Sequence, residues 1–171
     1  MAVILGIDPG IATVGFGAIR AEGAKQTLIR CGAITTPAGL PLSVRLERIH
    51  ADMLELIDLF KPDAIAIEEL FFNTNLTTGI AVAHGRGVIV LAGQEKGIPM
   101  FEYTPLQVKQ ALTGYGRADK KQMMEMVRRV LGMEKAAKPD DASDALALAI
   151  CHARFSTSMM NIGGNNVCST I

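Results

Sequence analysis

The sequence predicts an α/β protein: a mixed five-stranded sheet flanked by helices on both faces. Three observations carry this. Three strand-like runs, separated only by short turns, fill the chain up to residue 35. From there to residue 103, helical and strand periodicities alternate, the pattern of crossover units. One run, Ala64–Glu68 (AIAIE), is apolar almost throughout, so it needs cover on both of its faces.

The elements follow in order. Residues 2–8 (AVILGID) form an apolar run closed by Pro9-Gly10, a buried strand ending in a turn. In Thr13–Arg20 (TVGFGAIR), Val14, Phe16 and Ala18 point one way. Thr27–Thr35 is a third strand, and the short turns favour an antiparallel meander. After Pro41 and Ser43 the period changes: Leu46, Ile49, Met53, Leu56, Ile57 and Phe60 recur at helical spacing, until Lys61-Pro62-Asp63 stops them. Ala64–Glu68 then reads as a central strand, parallel to the first. Residues 76–96 read as a helix interrupted by Gly79, Gly85, Gly87 and Gly93. Each glycine costs about 1 kcal/mol against alanine, which close approach by another helix or backbone would repay. Met100–Tyr103 is a fifth strand, with helices expected at 105–112, 119–132 and 140–154.

A chain of 171 residues is one domain by the usual size relation. The reading places the folded domain at 1–155 and a flexible C-terminal tail at 156–171, where Ser, Asn, Gly and Met occur without periodicity. The formal charge of zero argues against a uniformly basic polyanion binder and directs attention to local charge. Cys31, Cys151 and Cys168 have neither metal spacing nor an even count, so no disulfide framework is expected. A reducing cytoplasm suits them, and neither a signal peptide nor a membrane span is expected.

The chemistry is expected from carboxylates. Asp8 ends the first strand and Glu68 the fourth; parallel neighbours would deliver both to one edge of the sheet. Asp141 and Asp144, three apart at the start of the last helix, share a helical face. The apolar face of that helix (Leu146, Ala149, Ile150) would dock on the sheet and carry them to the same place. Two charges about 4 Å apart repel by roughly 4 kcal/mol at an effective dielectric of 20, so such a cluster calls for a cation. Hard oxygen ligands select Mg²⁺, with Mn²⁺ as a substitute. Two such ions clamp a phosphodiester, which points to phosphoryl-transfer chemistry on nucleic acid. Each acid also has a plainer reading: Asp8 as a turn starter, Glu68 as a strand end meeting solvent, the aspartates as partners of a helix dipole.

Two further features suit nucleic acid. Phe71-Phe72 follow the fourth strand in a polar loop, where one ring could stack on an unpaired base. From Pro105 to Lys138 the cations, among them Lys109, Arg117, Lys120 and Lys121, outnumber the acids, a local footprint for a phosphate backbone.

ILGIDPG at 4–10, AIEELFF at 66–72, EYTPLQVKQAL at 102–112, GRADKKQM at 116–123 and DDASDALALAI at 140–150 together resemble the RuvC family of Holliday-junction resolvases. The resemblance runs to about Phe155. It implies an RNase H-like fold and a homodimer that resolves four-way DNA junctions by paired symmetric nicks during recombination and repair. By position it makes Asp8, Glu68, Asp141 and Asp144 the metal ligands, with two Mg²⁺ per active site during catalysis. Lys120 and Lys109 become DNA-contacting basic residues, Lys120 also serving activity. Phe71 becomes the aromatic that touches bases near the crossover, and Lys121 and Arg117 follow by proximity. A branch-migration motor is the implied partner.

Three other readings share parts of this pattern. A related RNase H-like nuclease acting on another structured nucleic acid would have the same acids. An actin or sugar-kinase-type ATPase also opens with a strand, Asp and Gly, yet needs a second glycine hairpin that is missing here. A catalytically idle DNA scaffold would have no use for four metal-capable acids.

Overall fold

The computed structural model describes residues 1–69 and 76–162. Its elements are β1 (Ala2–Asp8), β2 (Thr13–Glu22), β3 (Lys25–Thr35), α1 (Leu42–Phe60), β4 (Ala64–Glu68), α2 (Leu76–Glu95), β5 (Met100–Tyr103), α3 (Pro105–Thr113), α4 (Lys120–Val130) and α5 (Asp140–Ile162). One five-stranded sheet runs β3-β2-β1-β4-β5. β1, β2 and β3 pair antiparallel, as a meander should; β1 pairs β4, and β4 pairs β5, in parallel. β1 and β4 are thus the interior parallel pair, and Ala64, Ile65, Ala66 and Ile67 are all buried.

The β1/β4 register is clamped at its start. Val3 N donates to the Asp63 carboxylate at 2.7 Å, and Asp63 N donates to Val3 O at 2.8 Å. From there Ile4 faces Ala64 and Ile7 faces Ile67, so Asp8 and Glu68 are the next residues of each strand.

Alternation along the strands builds two cores. Leu5, Ile7, Ile65 and Ile67 pack with Ile49, Met53 and Ile57 of α1 and with Ile89 and Ala92 of α2. On the opposite face Ile4, Ile19 and Ala66 pack with α3, α4 and α5. Leu146, Ala149 and Ile150, the expected docking face of α5, are completely buried. The buried pair Tyr103 Oη and His152 Nδ1, 2.7 Å apart, ties β5 to this helix.

Three glycines decide how closely α5 can lie. A Cβ on Gly6 would run into the Ala145 carbonyl and sit 2.9 Å from Ala149 N. One on Gly17 would sit 2.6 Å from Leu146 Cδ2, and one on Gly15 would collide with Asp141. With these positions bare and Ala142, Ala145 and Ala149 facing them, the helix backbone rests almost on the sheet.

The structure departs from expectation in two places. α5 does not stop at 154 but continues to Ile162. The hydroxyls of Ser156 and Thr157 donate back to the Ala153 carbonyl, which lets polar residues prolong a helix without an apolar stripe. Residues 163–171, with Cys168, lie outside the described residues. The glycines of α2 are used unequally. Gly85 lies against the Gly10 carbonyl and Gly93 against Met100, whereas a Cβ on Gly87 would meet nothing within 4 Å. Among the described residues no helix is long and apolar enough to cross a membrane.

Candidate active site

Asp8 shares the parity of Ile4 and Gly6, and Glu68 that of Ala66, so both carboxylates face α5. Asp8 is paired across the β1/β2 ladder with Gly15, the residue on which Asp141 rests. One turn further along α5 comes Asp144. The sheet and the helix N-terminus therefore deliver carboxylates from three elements to one end of the molecule. A cleft of about 240 Å³ opens there, lined by Asp8, Glu68, Asp144, Lys109, Lys120 and Met123 among others.

The electrostatics reflect the crowding. Burial, followed by the charges of Glu68, Asp144 and Asp141, raises Asp8 from its ordinary 3.8 to about 7. Burial and Asp144 push Glu68 upward, and burial pushes Asp144 the same way against the opposing pull of Lys120. Among the described residues no three acidic, histidine or cysteine side chains gather closely enough to hold a metal ion. Asp8, Glu68 and Asp144 line the cleft, and Asp144, together with Asp140 outside it, contacts a lysine.

That lysine is placed by capping. Asp119 and Gln122 form a reciprocal capping box, which starts α4 at Lys120. A cation is disfavoured in the first turn of a helix. Here the ammonium lies 3.3 Å from Asp140 and 3.5 Å from Asp144, and Asp144 is the largest influence holding it above the usual lysine range. Lys109 reaches the cleft from α3, whose own capping box (Thr104 with Gln107) and first-turn Pro105 fix its start beside the end of β5.

Other residues singled out in the sequence fall elsewhere. Lys121 lines a separate groove with Tyr115, Gln122 and Arg129, and Arg117 is exposed nearby on the α3–α4 connection. Phe71 lies outside the described residues. Asp140, at the first position of α5, is half-exposed and touches Lys120 without lining the cleft. Sequence reasoning passed over Arg86. It donates to the Glu68 carbonyl at 3.5 Å and pairs with Glu102 at 2.7 Å. The available signal was that it is the lone charged residue between Leu76 and Gly93.

Comparison with known proteins bears on the chain as a whole. The family model described as crossover junction endodeoxyribonuclease RuvC matches residues 4–152. A protein of that name from Rubrobacter xylanophilus is 58% identical over 151 residues, covering 88% of this chain and 84% of the relative. The RuvC structure from Thermus thermophilus superposes with a TM-score of 0.85 at 39% identity, covering 91% of this chain and 96% of that one. The same protein in complex with a Holliday junction substrate gives 0.84 at 38% identity, with the same coverage. The sheet order and the two helical layers are the RNase H-like arrangement that the resemblance implied. With all of its buried core but Ala153 inside the matched span, the chain belongs to the RuvC family of crossover junction endodeoxyribonucleases.

Proposed function

We propose that this protein is a metal-dependent endonuclease that resolves four-way DNA junctions by paired symmetric nicks during homologous recombination and repair. The observation that carries the reading is the convergence of acids from β1, β4 and α5 on one cleft that also holds Lys109 and Lys120.

The donor set is all carboxylate oxygen; burial first, and neighbouring carboxylate charge second, raises Asp8, Glu68 and Asp144 above their ordinary range, a cost that a bound cation would offset. This chemistry fits a hard divalent ion. Asp8, Glu68, Asp141 and Asp144 would hold Mg²⁺, with Mn²⁺ as a substitute and two ions per active site during catalysis. Bound there, the ions supply activation of the attacking water and stabilisation of the leaving oxygen. The residues of the chain do the rest. Asp8 and Glu68, fixed at the ends of paired strands, give the cleft a rigid floor. Lys120, freed from Asp140 and Asp144 once their charge is otherwise met, offsets charge on the scissile phosphate. Lys109 on the facing wall orients the backbone. The products are a 5′-phosphate and a 3′-hydroxyl, as the family leaves.

Outside the cleft, Lys121 and Arg117 would follow the phosphate backbone of a junction arm. Phe71 would stack on a base near the crossover. The homodimer finds support on α2. Ile80, His84, Gly87 and Leu91 form an exposed stripe at helical spacing, with Ile80 54% and Leu91 49% exposed. The bare Gly87 would let a second helix approach closely. A two-fold axis between two such sites suits a substrate of similar symmetry. The nuclease domain, expected from the sequence to end at 155, continues with α5 to Ile162, and the protein acts in the cytoplasm beside a branch-migration motor.

The test is incubation of the purified protein with a synthetic four-way junction and with linear duplex, in Mg²⁺ and in EDTA. Paired nicks on the junction alone, lost in EDTA, are expected. Equal cutting of linear duplex, or cutting in EDTA, would overturn the reading.

A further inference from the structure

The peptide that follows Glu68 is held from both sides. Glu69 N donates to the Tyr103 carbonyl of β5 at 2.9 Å. The Glu68 carbonyl accepts from Arg86 Nε at 3.5 Å, while Arg86 Nη2 lies 2.7 Å from Glu102 Oε2.

Arg86 works from the far side of the sheet. Its helix packs through Ile89 and Ala92 on the face that carries Ile65 and Ile67, whereas the Glu68 side chain faces α5. Glu102 alternates with Phe101 and Tyr103, both of which pack on His152 of α5, so it projects toward α2. The guanidinium thus reaches across the ends of β4 and β5 without access to the cleft. It is only 17% exposed, and a cation buried to that degree in an otherwise apolar stretch needs a compensating role.

We infer that Arg86 is a positioning residue for the reaction: with Glu102 as its anchor, it fixes the peptide plane after Glu68 and so the direction of the Glu68 carboxylate. The fork geometry of arginine suits this, because one nitrogen serves the carbonyl and another the carboxylate. Lysine offers a single point charge and can serve one partner well. The inference rests on the reading of Glu68 as a metal ligand.

The experiment compares Arg86→Ala, Arg86→Lys, Glu102→Gln and Glu68→Gln in the full-length protein. Three quantities are measured: junction affinity in EDTA, single-turnover junction cleavage across a Mg²⁺ titration, and the thermal melt. Outer partners of metal ligands typically carry about 10–100-fold in metal affinity or activity. Arg86→Ala should raise the half-saturating Mg²⁺ concentration by about tenfold, with junction affinity within about twofold of the parent. Arg86→Lys should recover part of that shift, and Glu102→Gln should lie between it and the parent. A parental Mg²⁺ curve for Arg86→Ala overturns the inference. So does a loss of melting temperature and junction binding with an unmoved Mg²⁺ midpoint, which is the mark of a merely structural residue. Should Arg86→Ala fail to fold, the half-exposed Glu102→Gln decides, and an unmoved midpoint there overturns it equally. Normal cleavage by Glu68→Gln would locate the failure in the ligand reading instead.

Discussion

Gly15 lies directly beneath Asp141: a Cβ at Gly15 would sit 3.0 Å from the Asp141 Cβ and collide with its carbonyl. Because Gly15 is also the ladder partner of Asp8, one missing methyl group sets the spacing between strand-borne and helix-borne acids. Gly15→Ala should lift the start of α5. The expected outcome is a stability loss of about 1–3 kcal/mol from overpacking. Junction cleavage should fall further than stability explains. Thermal unfolding and single-turnover cleavage, measured together, check it; a stable variant with parental cleavage would count against the close approach.

Asp8→Asn keeps the shape of the side chain and removes its charge. Junction affinity should stay near parental or tighten, because a repulsive charge is gone, while cleavage should be abolished. Gel-shift binding in EDTA and cleavage in Mg²⁺ separate the two. Normal cutting would remove Asp8 from the ligand set.

The acid cluster sets a pH dependence. Burial and the charges of Glu68, Asp144 and Asp141 raise Asp8 to about 7, so without divalent ions the folded protein favours its protonated form. The stabilising contribution of that proton is fully present below about 3.8 and is lost as pH rises through about 7. The melting temperature in EDTA should therefore decline across this window, and Asp8→Asn should make the decline shallower while leaving the share due to Glu68 and Asp144, which are raised the same way. Proton and Mg²⁺ compete for the same oxygens, so the Mg²⁺ midpoint for cleavage should fall as pH increases from 6 to 8 (a pH-independent midpoint would contradict this).

Lys120→Ala removes the cation that bridges Asp140 and Asp144. Exposed pairs of this kind are worth about 0–1 kcal/mol, so the melt should barely move. Cleavage should drop by about 10²-fold, the scale for losing one donor to a developing charge. A large stability loss with modest effect on cleavage would reverse the assignment.

Lys121→Ala and Arg117→Ala should weaken junction binding without altering cleavage at saturation. Each should reduce the slope of log affinity against log salt by about one. Unchanged slopes would place the DNA path elsewhere.

The meander, the crossover strands and the docking face of α5 were legible because each is written in local periodicity. Asp8 and Glu68 were legible as strand ends whose parity turns them to the α5 face, and Asp144 of α5 meets them at the cleft, whereas Asp141 rests on Gly15 and does not line it. Arg86 was not legible in its role: its partners Glu68 and Glu102 are distant in sequence and meet only through the β4/β5 pairing. Gly6, Gly15 and Gly17 read as ordinary strand glycines until α5 is seen lying on them. The extension of α5 to Ile162 was hidden because Ser156 and Thr157 carry turn-like chemistry that the helix absorbs through Ala153.

The pair of hydrogen bonds between Val3 and Asp63 acts as an indexing peg at the opposite end of the strands from the chemistry. Side chains alternate along a strand, so a slip of one residue would turn the Glu68 carboxylate toward α1 and α2 and bury an apolar neighbour's place with charge. A misregistered chain would be silent as well as unstable, which spares DNA from cutting by a half-assembled nuclease.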